Sequence, residues 1–170
     1  MKYIFLLSVW SLAAFGGLIK TPEKAIGDLF PDAAISKKTI LLSSDEAARV
    51  QTLAKEKLDS KIITYYEIRT GKMQLYAFLQ TVRVRSKNLA ALTFVEAGSI
   101  RTIEIIAMFE PMEYLPPEKW LETLEKKTLA DPIRPKRDIP AITGATLSAN
   151  AVSKSSRTAL AIYDVKIAKP

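Results

Sequence analysis

Four β-patterned runs follow one another between residues 61 and 109, and this stretch restricts the fold more than any other part of the sequence. Residues 61–69 are rich in Ile, Tyr and Thr, which favour extended backbone. Thr70-Gly71-Lys72 is a turn signal, and residues 73–84 form a second run with Leu75, Ala77 and Leu79 on one face. Residues 89–96 make a third run. Ala97-Gly98-Ser99 then turns the chain into a fourth, residues 100–109, with Ile103, Ile105 and Ala107 on one face. Runs joined by such short connections pair with their neighbours in sequence. The expectation is therefore a four-stranded antiparallel meander.

Helical signals flank the meander. Thr21-Pro22 opens a short helix over residues 21–30, since proline is tolerated in a first turn, and Pro31 stops it. Residues 35–42 read as a further short strand. Ser43 and Glu46 have capping-box spacing, and a helix follows to about residue 58, with Ala47, Val50, Leu53, Ala54 and Leu58 at helical intervals. Residues 110–117 are irregular. A helix is predicted over 118–127 with Trp120, Leu121 and Leu124 on one side, and residues 128–141 read as a loop rich in Pro, Asp and Arg. The last helix is predicted over 147–165. Its narrow stripe of Ala149, Val152, Ser156, Ala159, Leu160 and Tyr163 suits close packing on a sheet. The class is α+β, an antiparallel meander flanked by helices with the C-terminal helix on the sheet.

Composition narrows the chemistry. The 170 residues include no cysteine and no histidine. Thiolate zinc sites, iron–sulfur clusters, His- or Cys-ligated haem and nucleophile–histidine pairs have no residues to build them. Any redox chemistry must reside on an organic cofactor. No carboxylate cluster has metal-site spacing. The formal charge is +7, but the denser basic places, Arg83, Arg85 and Lys87 and then Arg134, Lys136 and Arg137, lack interleaved aromatics. They read as solvated surface, not as a nucleic-acid site.

Lys2 precedes an almost wholly apolar stretch from residue 3 to 15, with Ala14-Phe15-Gly16 offering small residues for cleavage. Residues 1–19 read as a secretory signal peptide or an N-terminal anchor, and residues 20–170 as the mature domain. The expected location is periplasmic or otherwise extracytoplasmic, with attachment to the membrane if the segment is retained.

The chemistry concentrates in Ala141-Ile142-Thr143-Gly144-Ala145-Thr146-Leu147-Ser148, a small, hydroxyl-rich loop running into the last helix. Free N–H groups and the helix dipole favour an anion at such a place, and Gly144 lets the backbone turn tightly or approach a ligand. The simpler alternative is that Thr146 or Ser148 only caps the helix. Elsewhere, Tyr65, Tyr66 and Trp120 read as core aromatics, and Glu110 and Glu113 as solvated or ligand-adjacent carboxylates.

Thr143-Gly144-Ala145-Thr146, followed by Leu147-Ser148, resembles the [ST]-G-A-T flavinylation motif of the FMN-binding domain family. That family includes flavin-carrying subunits of the sodium-pumping NADH:quinone oxidoreductase and of the Rnf complex. The resemblance implies FMN joined through a phosphodiester to Thr146 by a separate FAD:protein FMN transferase. It implies cofactor contacts from Thr143, Gly144, Ala145, Leu147 and Ser148. The segment containing Glu110, Met112, Tyr114 and Leu115 is similar to the loop that lies near the flavin ring in that family. The family pattern has an Asp where this chain has Pro140, with Asp138 the nearest acid. The implied role is an electron carrier serving a membrane or extracytoplasmic redox partner. The alternatives are an exported cystatin-like binding module without flavin and an extracytoplasmic flavin reductase.

Overall fold

The computed structural model describes residues 16–168. Most of the apolar N-terminal stretch read as a signal or anchor lies outside the described residues. The elements in order are α1 (Pro22–Leu29), β1 (Ala34–Leu41), α2 (Ser44–Ala54), β2 (Ile62–Thr70), β3 (Met73–Arg83), β4 (Asn88–Glu96), β5 (Ser99–Met108), a short α3 (Glu118–Leu121) and the long α4 (Thr146–Lys166). The strands form one antiparallel sheet in the order β1-β2-β3-β4-β5. The meander thus has five strands, not four. β1 pairs with β2 from Ala34↔Arg69 to Leu41↔Ile62 although α2 lies between them in sequence. It is exposed along nearly its whole length, and Lys37 and Lys38 guard this edge.

Both sheet faces are covered, which is why strand alternation puts large side chains on each. Tyr65 and Phe78 stack with centroids 5.7 Å apart in the cluster beneath α2 and α4. Tyr66 points to the opposite face, packs with Ile26 of α1, and donates its phenol proton to Glu23 at 2.8 Å. At the other sheet edge, Gly17 accepts from Met108 N–H at 2.9 Å and Ile19 donates to Ile106 at 2.8 Å, so residues 17–19 extend the sheet beside β5. Gly16 lies so close that a Cβ there would sit 2.1 Å from the Met108 carbonyl oxygen.

Three helical expectations need correction. α2 ends at Ala54, because Lys55 takes the left-handed conformation at φ 55° and its N–H returns to Gln51. The helix expected over 118–127 is one α-turn followed by a 3-10 turn at Glu122–Leu124, although Trp120 and Leu124 are buried as expected. α4 does not carry a narrow stripe. Its buried positions run almost all round, including Ser148, Ser153, Ser155, Arg157 and Thr158, because it is enclosed by the sheet, α2 and the 128–141 loop. Small residues permit that close approach. Arg157 is the buried ion of this helix. It donates to the carbonyls of Ala54 and Ile133 and pairs with Glu56.

Candidate functional site at the start of the last helix

The antiparallel order brings distant segments to one end of the sheet. Arg83 pairs with Asn88 and Leu89 with Met108, so the β3–β4 turn and the chain leaving β5 emerge together. α4 begins at this end and runs to the other, where Tyr163 approaches Gly98. Between its first turn and the β3–β4 turn lies a cleft of about 240 Å³, lined by Val84, Arg85, Glu110, Tyr114, Gly144, Ala145, Thr146, Leu147 and Ser148.

Each side chain is held there for a local reason. The loop before α4 is braced by Trp120, whose indole N–H donates to the Pro140 carbonyl at 2.8 Å. Gly144 has φ +82°, a conformation that an L side chain adopts only with strain, although a Cβ would meet nothing. Ala145 is the N-cap and offers no side-chain cap. The first backbone bond into the helix is from Ala149 N–H to the Ala145 carbonyl at 3.0 Å. The N–H groups of Thr146, Leu147 and Ser148 therefore have no acceptor among the described residues. The Thr146 hydroxyl donates to the Ile142 carbonyl at 3.2 Å, leaving its lone pairs available. Ser148 is fully buried and its hydroxyl has no partner among the described residues. The simple-cap alternative therefore does not describe this terminus, since neither Thr146 nor Ser148 caps it.

Glu110 borders the cleft but is committed to the turn opposite. Its carboxylate accepts from Lys87 N–H at 2.8 Å, Ser86 N–H at 2.7 Å and the Ser86 hydroxyl at 3.2 Å. The Lys87 N–H is the chief cause holding its carboxyl below the ordinary range, against the opposing effect of burial. Tyr114 stands half-buried on the wall, and its hydrogen bond to Glu113 raises its phenol, which stays protonated near neutrality.

The cleft brings together Gly144, Ala145, Thr146, Leu147, Ser148, Glu110 and Tyr114, and it leaves out Thr143, Met112 and Leu115. Thr143 is exposed on the loop, and Met112 is exposed to 37%. Leu115 faces a different depression with Ile19, Ile103 and Leu121. The apolar wall is instead Val84, Tyr114 and Leu147, the last 50% exposed. Val84 and Arg85 were not singled out as site residues from sequence. The signal that could have found them is topological, because a meander returns the β3–β4 turn to the end where β5 exits. Asp138 does not reach the cleft. It accepts from Ile133 and Arg134 N–H groups at 3.0 and 2.8 Å and from Lys127 at 3.2 Å, and so braces the preceding loop.

No helix among the described residues is long and apolar enough to cross a membrane, and no group of acidic residues there could hold a metal ion. No family model, no curated protein and no solved structure matches the chain.

Proposed function

We propose that this chain is an exported electron-transfer protein carrying FMN through a phosphodiester bond to Thr146. The observation that carries the reading is an anion cradle with no internal occupant. Among the described residues, three N–H groups at the start of a 21-residue helix and the buried Ser148 hydroxyl lack partners, and they lie beside the Thr146 hydroxyl. The donor set fits a phosphate. A phosphodiester keeps one negative charge, which the helix dipole and Arg85 favour. Bound FMN supplies one- and two-electron redox chemistry. Val84, Tyr114 and Leu147 provide the apolar surface for its ring. Ligand pockets usually hold about 300–1,000 Å³. At about 240 Å³ the cleft would hold the phosphate and only part of a tricyclic ring.

No histidine is available as a base, so an FAD:protein FMN transferase must activate Thr146. The Thr146 Oγ–phosphorus bond forms as the pyrophosphate bond of FAD breaks. AMP leaves, and the hydroxyl proton passes to the transferase. The ester has no proton to donate, so the Ile142 carbonyl loses its bond from Thr146. The first three residues of α4 then hold the phosphate, and the protein surface around Leu147 receives the partner. Intact mass spectrometry on protein co-expressed with the transferase tests this. The expected result is one FMN phosphoryl adduct that is missing in Thr146→Ala. Wild-type protein without adduct or flavin absorbance would overturn it.

A further inference from the structure

α4 carries six serine and threonine residues, and their partners separate them into two groups. Thr146, Ser155, Ser156 and Thr158 are satisfied, by the Ile142 carbonyl at 3.2 Å, Gln80 at 3.0 Å, the Val152 carbonyl at 2.8 Å and the Lys154 carbonyl at 2.9 Å. Ser148 and Ser153 have none among the described residues, though both are buried. Ser148 belongs to the cleft described above. Ser153, 1% exposed, belongs to a separate groove of about 390 Å³ on the other side of the first turns of α4. Leu147 and Val84 form the ridge between the two.

The charge in this groove is one-sided. Arg83, Arg134, Lys154 and Arg157 line it, with Glu56 the single acid. Glu56 is spent on Arg157, which is itself 6% exposed and also held by two backbone carbonyls. Lys154 reaches Asp59, which lines a neighbouring depression, at 3.5 Å. Arg83 and Arg134 have no carboxylate partner among the described residues. Two uncompensated guanidinium groups, a third cation and a buried hydroxyl thus surround one concavity. Guanidinium forks match phosphate oxygens, and an unpartnered hydroxyl is a ready donor to one of them. The concavity and the sealed hydroxyl favour a small ligand, because an acidic protein surface would contact only the rim.

We infer that this groove is a second anion site, taking a phosphomonoester through Arg83, Arg134, Lys154 and the Ser153 hydroxyl. It does not depend on covalent flavin at Thr146. Its place across the Leu147 ridge puts a phosphorylated small molecule within reach of whatever occupies the first cleft.

The test is a backbone-amide NMR titration of the full chain with inorganic phosphate and with glucose 6-phosphate, at constant ionic strength held by chloride. The expected result is saturable shifts at Asn150–Lys154 and at Arg83, present in Thr146→Ala as in wild type. Replacing Arg83 and Arg134 together by Gln should weaken binding at least tenfold. Both side chains are exposed, so folding should be unaffected. Ser153→Ala should fold as well as wild type and bind several-fold more weakly. Shifts confined to residues 145–148, shifts reproduced by chloride, or undiminished affinity in the double variant would overturn the proposal. So would binding of polyglutamate with no response to phosphate, which would mark the groove as a protein-docking face. Failure of the flavin reading leaves these outcomes unchanged, because that reading is decided by the Thr146 adduct.

Discussion

At the scale of single residues, the proposed function assigns the chemistry to Thr146 and leaves its neighbours to shape the loop. Thr146 contributes one half-buried hydrogen bond to the fold, so Thr146→Val should cost about 1 kcal/mol of stability while abolishing flavin attachment. Urea unfolding and intact mass, measured on the same preparation, check both halves. Gly144 shapes the loop through its backbone alone. Gly144→Ala meets no steric obstacle, yet must hold φ near +82°, so it should cost about 1–2 kcal/mol by urea unfolding. It should also lower flavin loading in co-expression by displacing Thr146. If Gly144→Ala loaded fully and unfolded at the wild-type urea concentration, the loop geometry would not matter. Thr146 and Gly144 were legible from sequence because their chemistry is local. Met112 and Leu115 were not, since a segment broken by prolines has no periodicity to show which side chain faces inward.

At the scale of elements, α4 is the unit on which site and core meet. Its serines let it approach the sheet closely, and its enclosure by α2 and the 128–141 loop buries Arg157. Burial pushes that guanidinium down, and Glu56 pushes it back up. Removing one partner of a buried pair typically costs about 3–5 kcal/mol. Arg157→Leu should fall near the lower end, since Glu56 keeps some contact with solvent. The same change frees the Ala54 and Ile133 carbonyls, so amide exchange should quicken first at the end of α2 and around residue 133. Wild-type exchange rates in both segments would show that Arg157 does not join them. The capping box at Ser43 and Glu46 was readable because it needs only four residues in order, and both of its bonds are present. The early end of α2 was not, because nothing in its apolar spacing marks Lys55 as the residue that turns left-handed.

At the scale of the whole molecule, several carboxylates tie distant segments together and make stability depend on pH. Backbone hydrogen bonding is the first cause lowering Glu23, and a hydrogen bond from Lys166 lowers Glu46. The Lys87 N–H lowers Glu110. Burial pushes Asp138 up, but Arg134 N–H and Lys127 outweigh it and the net shift is downward. A carboxyl lowered in the folded state stabilises above its unfolded value and loses that contribution as pH falls through the folded value. The urea midpoint should therefore hold from neutrality to about pH 5 and decline below about pH 4.5. Glu110→Gln should be less stable than wild type at pH 7 and converge with it near pH 3. A constant difference across that range would remove Glu110 from the account. By itself, the sequence determined the antiparallel meander, the flanking helices and the hydroxyl-rich loop entering the last helix. Each of these is written in near-neighbour periodicity, turn residues or caps. Only the tertiary structure decided that β1 joins the sheet, that Glu110 is spent on the β3–β4 turn and that Arg83 and Arg134 face one groove with Ser153. Those outcomes depend on which strand ends and loops meet in space, and the energy that selects them comes from burying both faces of the sheet at once, which no local stretch of sequence encodes.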